Sequence, residues 1–380
     1  MKIIVAPDSF KGNMSAPAAC SAIEAGILKA DKKAKIFKIP LADGGEGTAR
    51  AVTEAAGGEF INAAVHGPLG KKIKAEFGLI EKGRVAVLDL ASASGLELLK
   101  PEELNPMKAS SFGTGELIKA ALDTGARELI IGIGGSATND GGIGMLSALG
   151  FRFLDEKGKA AGEGGEALAK IAAIDPSDAD KRLKGLSIKA ACDVTNPLLG
   201  PKGASAVFGP QKGAVPEMVK ALDAGLGKLA KAWIRAALAE DVEHPGDGAA
   251  GGVGAALRIC LGAKMESGAL LVMRYAGFFG RLNGADLVIT GEGRTDGQTA
   301  GGKLCSVVAR ESRKAKVPVA LLSGSLAGEP ADLLSMFDYA VSIATGEIGL
   351  EAMLRNGPRN LGFAAENLIR AITIGRKLNA

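Results

Sequence analysis

The stretch Leu129-IIGIGGSATNDGGIGMLSAL-Gly150 decides how this chain is read. It opens with a β-branched apolar run, passes through glycines, small hydroxyls, Asn139 and Asp140, and resumes as an apolar segment of helical periodicity after Gly141. A buried strand that feeds a helix through a glycine-rich turn is the unit of an α/β protein with a parallel sheet. The turn also gathers backbone N–H groups and the positive end of a helix at one point, which makes it an anion cradle. Gly132-Ile-Gly-Gly-Ser-Ala137 matches the dinucleotide pattern G-x-G-x-x-[GA] as well, but there the helix would have to open several residues earlier.

Outward from this stretch the same unit recurs. Apolar runs ending in Pro, Ala or Gly stand at 3–7, 35–42, 85–91, 285–291, 317–324 and 339–346. Helical periodicity lies between them. Ser15 reads as the N-cap of a helix carrying Ala19, Ile23 and Ile27 and ending near Lys29. A second helix is expected from about Gly115 to Thr124, and a third from Pro216 with Val219, Leu222, Leu226, Leu229 and Trp233 on one face. The two chain ends look alike and the middle is less regular. The expected fold is therefore two α/β domains: a Rossmann-like open parallel sheet formed by 1–65 and 281–380, with a second α/β domain, 66–280, inserted in it and the site in the cleft between them.

Composition narrows the chemistry. Glycine supplies 55 of the 380 residues, about twice the usual share, while 47% hydrophobic and 23% charged residues are those of a globular chain. The glycines therefore belong to turns and close backbone approaches rather than to disorder. A net charge of +4 and 4% aromatic residues exclude a nucleic-acid footprint built on charge and stacking. Two histidines leave little for a multi-histidine metal site or a Ser-His-Asp triad. Four scattered cysteines, no signal-peptide pattern and no apolar run of spanning length lead us to expect a cytoplasmic protein without membrane contact.

Four further motifs carry polar groups at strand ends. In Ala6-PDSFK-Gly12, Asp8, Ser9 and Lys11 are placed to meet a polar substrate. In Leu41-ADGGEGTA-Arg50, Asp43 and Glu46 can hold Mg²⁺, accept a hydroxyl proton, or complement a helix N-terminus. Asp193 and Asn196, with Lys202, Gln211 and Lys212 downstream, form a set able to hold Mg²⁺ and phosphate oxygens together. Glu292, Arg294, Asp296, Gln298 and Lys303 fill the last motif; 297–304 approaches a P-loop but has Leu304 where a hydroxyl is required.

These segments, together with GPLG (67–70), ASGLELL (93–99), FGTGELI (112–118), FGPQKGA (208–214) and GAAGGVGAAL (248–257), resemble the bacterial glycerate kinase family over nearly the whole chain. The resemblance departs at Asp247, where the family usually has a small residue, and after Lys303, which is followed by Leu-Cys-Ser. It implies a kinase that phosphorylates D-glycerate with ATP and Mg²⁺, giving 2-phosphoglycerate rather than 3-phosphoglycerate. An NAD-dependent hydroxy-acid dehydrogenase and a non-enzymatic organic-anion sensor are the alternatives, and a homo-oligomer is compatible with the sequence.

The residue roles expected on this reading follow the chemistry of each group. Asp193 and Asp296 serve as base or metal ligand, with Lys11 and Arg294 on anionic oxygens. Gly134, Gly135, Ser136, Thr138, Asn139, Lys212 and Lys303 contact the nucleotide. Asp8, Ser9, Asp43, Glu46 and Gln298 contact glycerate, and Asp140, Asp193 and Glu292 hold the metal.

Overall fold

Ile3, Ile4 and Val5 are wholly buried, and so are Val288, Ile289, Val319, Ala320 and Leu321, so the strands that carry them have both faces covered. That is the environment of a parallel sheet. The structure is a computed structural model and describes residues 1–41, 47–296, 304–327, 329–346 and 349–378. The chain begins with β1 (Lys2–Val5) and β2 (Lys35–Lys38), followed by β3 (Glu59–His66), β4 (Lys72–Ile80), β5 (Val85–Asp89) and β6 (Glu128–Gly132). The short β7 (Arg152–Leu154) and β8 (Ala173–Asp175) precede β9 (Ser187–Ala191) and β10 (Lys264–Glu266), and β11 (Leu287–Thr295), β12 (Val319–Leu326) and β13 (Tyr339–Ser342) close the series.

Two compact units result, one of Met1–Asp43 with Ala269–Ala380, the other of Gly44–Gly268. Residues 44–65 and 269–280 thus change sides relative to the boundaries read from the sequence. For 59–65 the reason is pairing: β3 is antiparallel to β4 along its full length, from Glu59 opposite Leu79 to His66 opposite Lys72.

The first unit holds a parallel sheet of order β13-β12-β11-β1-β2. Its chain leaves β1 toward β2 on one side and returns from β11 through β12 to β13 on the other. The strand order therefore reverses between β1 and β11, and ligands of open α/β sheets bind outside the carboxyl ends at such a reversal. The helices Ala16–Ala30 and Leu350–Leu378 pack together, with Ile23, Ile27, Leu361, Ala365 and Ile369 closing the core. Ser15 caps the first of them as expected, its Oγ accepting from Ala18 N at 3.4 Å.

The second unit is built on a mixed sheet of order β10-β9-β6-β5-β4-β3, parallel from β5 to β10. Trp233, Leu229, Leu226 and Leu222 of the helix Pro216–Arg235 are fully buried, as the sequence pattern required. The helix expected from Gly115 begins earlier, at Phe112. No helix among the described residues is long and apolar enough to cross a membrane.

Candidate active site

In the second unit the loop between β6 and the helix Ile143–Ala148 carries the signature stretch. Gly142 has φ +76°, and a Cβ there would lie 2.6 Å from Ala256 Cβ, so glycine alone fits this helix start. Ten residues separate Gly132 from Ile143, so the dinucleotide turn does not form: a fingerprint helix must open within the glycine pattern itself.

Most side chains of the loop face inward, contrary to their expected ligand contacts. Asp140 is fully buried; Ser111 N and Ser111 Oγ donate to its Oδ2 at 2.8 Å each, Gly144 N at 3.3 Å, and Gly142 N reaches Oδ1 at 3.0 Å. Burial pushes its pKa upward, against the pull of these donors. Asp140, expected as a metal ligand, thus ties together the starts of two helices, Phe112–Asp123 and Ile143–Ala148. Asn139 is fully buried and donates to Ser205 Oγ at 3.1 Å.

Lys212 is only 1% exposed, and its Nζ donates to Ser136 Oγ at 2.7 Å and to Thr138 O at 2.6 Å. Burial lowers its pKa to about 7, with the Asp140 carboxylate opposing the shift. A neutral amine has two N–H donors, one for each acceptor. The lysine expected on a nucleotide phosphate therefore braces the loop from within. What the loop offers outward is backbone: Gly135 is exposed and Gly134 half-buried, and no described residue accepts from the N–H of either.

Asp193 follows β9 on an exposed segment, where its Oδ1 accepts from Ser267 Oγ at 2.7 Å and Gly268 N at 3.1 Å. Asp247, the departure from the family pattern, is fully buried in a two-pronged pair with Arg258, at 2.8 Å to Nε and 2.7 Å to Nη2. Its neighbour in space explains the charge, since a buried carboxylate needs a partner. Asp89, which the sequence reading did not single out, ends β5 and accepts from Gly47 N at 3.0 Å and Ala49 N at 3.1 Å, capping the helix Thr48–Ala55 from outside it. Its position at a strand terminus was the available signal. Asp43 and Glu46, just before that helix, lie outside the described residues, as do Gln298 and Lys303.

In the first unit the groups collect at the strand-order reversal. The β1–β11 ladder continues past β1, with Ala6 N donating to Ile289 O and Asp8 N to Gly291 O, both at 2.8 Å. This sets Asp8 and Ser9 beside Glu292, and Ser9 N donates to Asp8 Oδ1 at 2.6 Å. β11 continues past the expected apolar run, which ended at Gly291, because β12 pairs with it up to Thr295 opposite Leu326. Glu292 is 8% exposed; Thr295 Oγ1 donates to its Oε1 at 2.9 Å and lies 2.9 Å from Ser323 Oγ. Ser323 Oγ has Ser325 O as acceptor at 2.8 Å. Burial, then the nearby charges of Glu292 and Asp8, hold the Cys305 thiol far above its usual range, so both carboxylates act on one buried point. Lys11 is exposed, and Arg294, 70% exposed, has its Nε 3.5 Å from Asp296 Oδ2.

Among the described residues no group of three or more His, Cys, Asp or Glu side chains is arranged to hold a metal. The hard oxygens of Glu292, Thr295 and Ser323 nevertheless suit Mg²⁺, which takes one or two carboxylates and completes its shell with water and phosphate.

The chain is similar to known proteins over nearly its whole length. The model of the Glycerate kinase family matches residues 3–373. A glycerate kinase of Bacillus subtilis (strain 168) is 44% identical over 379 residues, spanning 100% of this chain and 99% of that one. A glycerate 2-kinase of Escherichia coli (strain K12) is 44% identical over 379 residues, 99% of each chain. The crystal structure of a glycerate kinase 2 from Salmonella typhimurium LT2 is similar to this one, with a TM-score of 0.88, 44% identity and 99% coverage of both chains.

Proposed function

Because the chain belongs to the glycerate kinase family, and is therefore a phosphotransferase, we propose that it moves the γ-phosphoryl group of ATP, with Mg²⁺, onto the 2-hydroxyl of D-glycerate. The observation that carries the reading is the meeting of Asp8 and Glu292 at the reversal between β1 and β11. Carboxylates, hydroxyls and two exposed cations stand at the carboxyl ends of these strands, and open α/β sheets generally take their ligands at that end, which supports the reading.

Phosphoryl transfer asks mainly for position and for neutralisation of charge. Lys11 and Arg294 supply positive charge for the glycerate carboxylate and phosphate oxygens. Glu292, oriented by Thr295, is the metal-side carboxylate. The backbone N–H groups of Gly134 and Gly135 receive phosphate oxygens, and the braced loop beneath them keeps those donors in place. Asp193 or Asp296 accepts the proton that the glycerate hydroxyl loses as the new O–P bond forms and ADP departs. Mg²⁺, when bound beside Glu292, would supply neutralisation of phosphate charge. Substrate and nucleotide are small molecules.

A coupled ADP-release assay with D-glycerate tests this reading. ADP release that requires both D-glycerate and Mg²⁺ supports it, and release independent of glycerate contradicts it.

A further inference from the structure

The helix Leu350–Leu378 contains Pro358 in its interior. Proline has no N–H, and its ring presses on the carbonyl four residues earlier, here that of Leu354. This carbonyl loses its donor within the helix and tilts outward. Asn13 Nδ2 donates to Leu354 O, across 341 positions of sequence.

The fit is specific at the next residue as well. A Cβ on Gly357 would lie 2.4 Å from Asn13 Oδ1, 2.6 Å from Nδ2 and 2.7 Å from Cγ, so the amide rests directly on glycine backbone. Asn13 also closes a tight turn: Phe10 N donates to Met14 O at 2.9 Å, Met14 N to Phe10 O at 3.0 Å, and Asn13 N to Phe10 O at 2.8 Å. Gly12 adopts φ +74° within it. Lys11 is carried on this turn, separated from Asp8 and Ser9 by one residue, Phe10. Gly293 of β11 closes in on its other side, where a Cβ would come within 3.3 Å of Lys11 N.

We propose that Asn13 is a positioning residue for glycerate binding, which fixes the Asp8–Lys11 turn by occupying the carbonyl that Pro358 strips of its helical donor. The inference rests on the reading of Asp8 and Lys11 as substrate contacts. On this account the proline is functional: with a residue that has an N–H at 358, Leu354 O returns to the helix axis and Asn13 loses its acceptor. Breaking the link from either end then has the same consequence for the turn.

The test is a double-mutant cycle of Asn13→Ala and Pro358→Ala. Each single variant is expected to raise KM for D-glycerate about fivefold, the worth of one hydrogen bond, and to leave kcat and KM for ATP within about twofold. Pro358→Ala is expected to raise Tm, because it restores a helical hydrogen bond, even as it weakens glycerate binding. A purely structural role does not separate those two readouts. The double variant should be no worse than the weaker-binding single. Additive effects on KM, or an unchanged KM in Pro358→Ala, overturn the proposal. Amide exchange at residues 10–14 provides a readout that does not depend on activity: it should accelerate in both single variants, and equal exchange in all proteins also overturns the proposal. If wild type releases no ADP while exchange responds as expected, the functional reading fails and the link stands.

Discussion

Lys212 Nζ lies 2.6 Å from Thr138 O and 2.7 Å from Ser136 Oγ, a buried amine holding the glycine-rich loop by its own backbone. Its pKa of about 7 lies below the ordinary 10.5, so between those values the unfolded chain binds the proton that the folded chain releases. Stability contributed at this site therefore rises with pH through that window and is lost as pH falls toward 7. Relative to Lys212→Met, the wild type should gain up to about 1.4 kcal/mol per pH unit there. Urea titrations at several pH values check this, and parallel profiles for the two proteins would refute it.

Asp140 is expected to matter for stability whether or not metal is present. Asp140→Ala strands the Ser111, Gly142 and Gly144 donors inside the protein and should cost about 3 kcal/mol, while Ser111→Ala should cost about 1–2 kcal/mol. Denaturation with and without Mg²⁺ decides the point. A loss that appears only when Mg²⁺ is present would return Asp140 to the metal.

Glu292→Gln keeps the shape of the side chain and removes its charge. It should lower kcat at least about 100-fold with little change in Tm. Thr295→Val removes the hydroxyl that orients Glu292 and should lower kcat by a smaller factor of about 10. Steady-state kinetics with thermal melts check both, and a Glu292→Gln enzyme with near-normal turnover would remove this carboxylate from the reaction.

Asp193→Asn and Asp296→Asn separate the two candidates for the proton acceptor. The one that acts as base should lose about 100-fold or more in kcat, with a flattened acid limb in its pH profile. Near-wild-type rates in both would exclude the assignment.

The parts of the fold that were legible are those in which local chemistry and tertiary environment agree. β5 and β6 fall within or next to the expected apolar runs, because a strand covered on both faces must be apolar throughout. β3 was not legible: most of its residues are exposed or half-buried, so Glu59–His66 lacks the uniform apolar run that marks the others. The site divides in the same way. Strand-end motifs drew attention to Asp8 and Glu292 separately, since strand termini can be read locally, whereas the pairing of β1 with β11, with Asp8 N donating to Gly291 O, emerges only from the fold. The inward turn of Lys212 could not be read, because a lysine in a glycine-rich loop has the same sequence signature whether it faces phosphate or the loop's own carbonyls. Nor could Asp89, Ser111 or Asn13, whose partners lie 29 or more residues away and are brought close only by folding.

The most direct test of the central claim is phosphorus–proton correlated NMR of wild-type enzyme with D-glycerate, ATP and Mg²⁺. The account predicts loss of the ATP γ-phosphorus signal, growth of ADP, and a new phosphomonoester coupled to the methine proton of the product, as in 2-phosphoglycerate. An unchanged nucleotide spectrum contradicts the kinase, and a phosphomonoester coupled to the methylene protons contradicts transfer to the 2-hydroxyl.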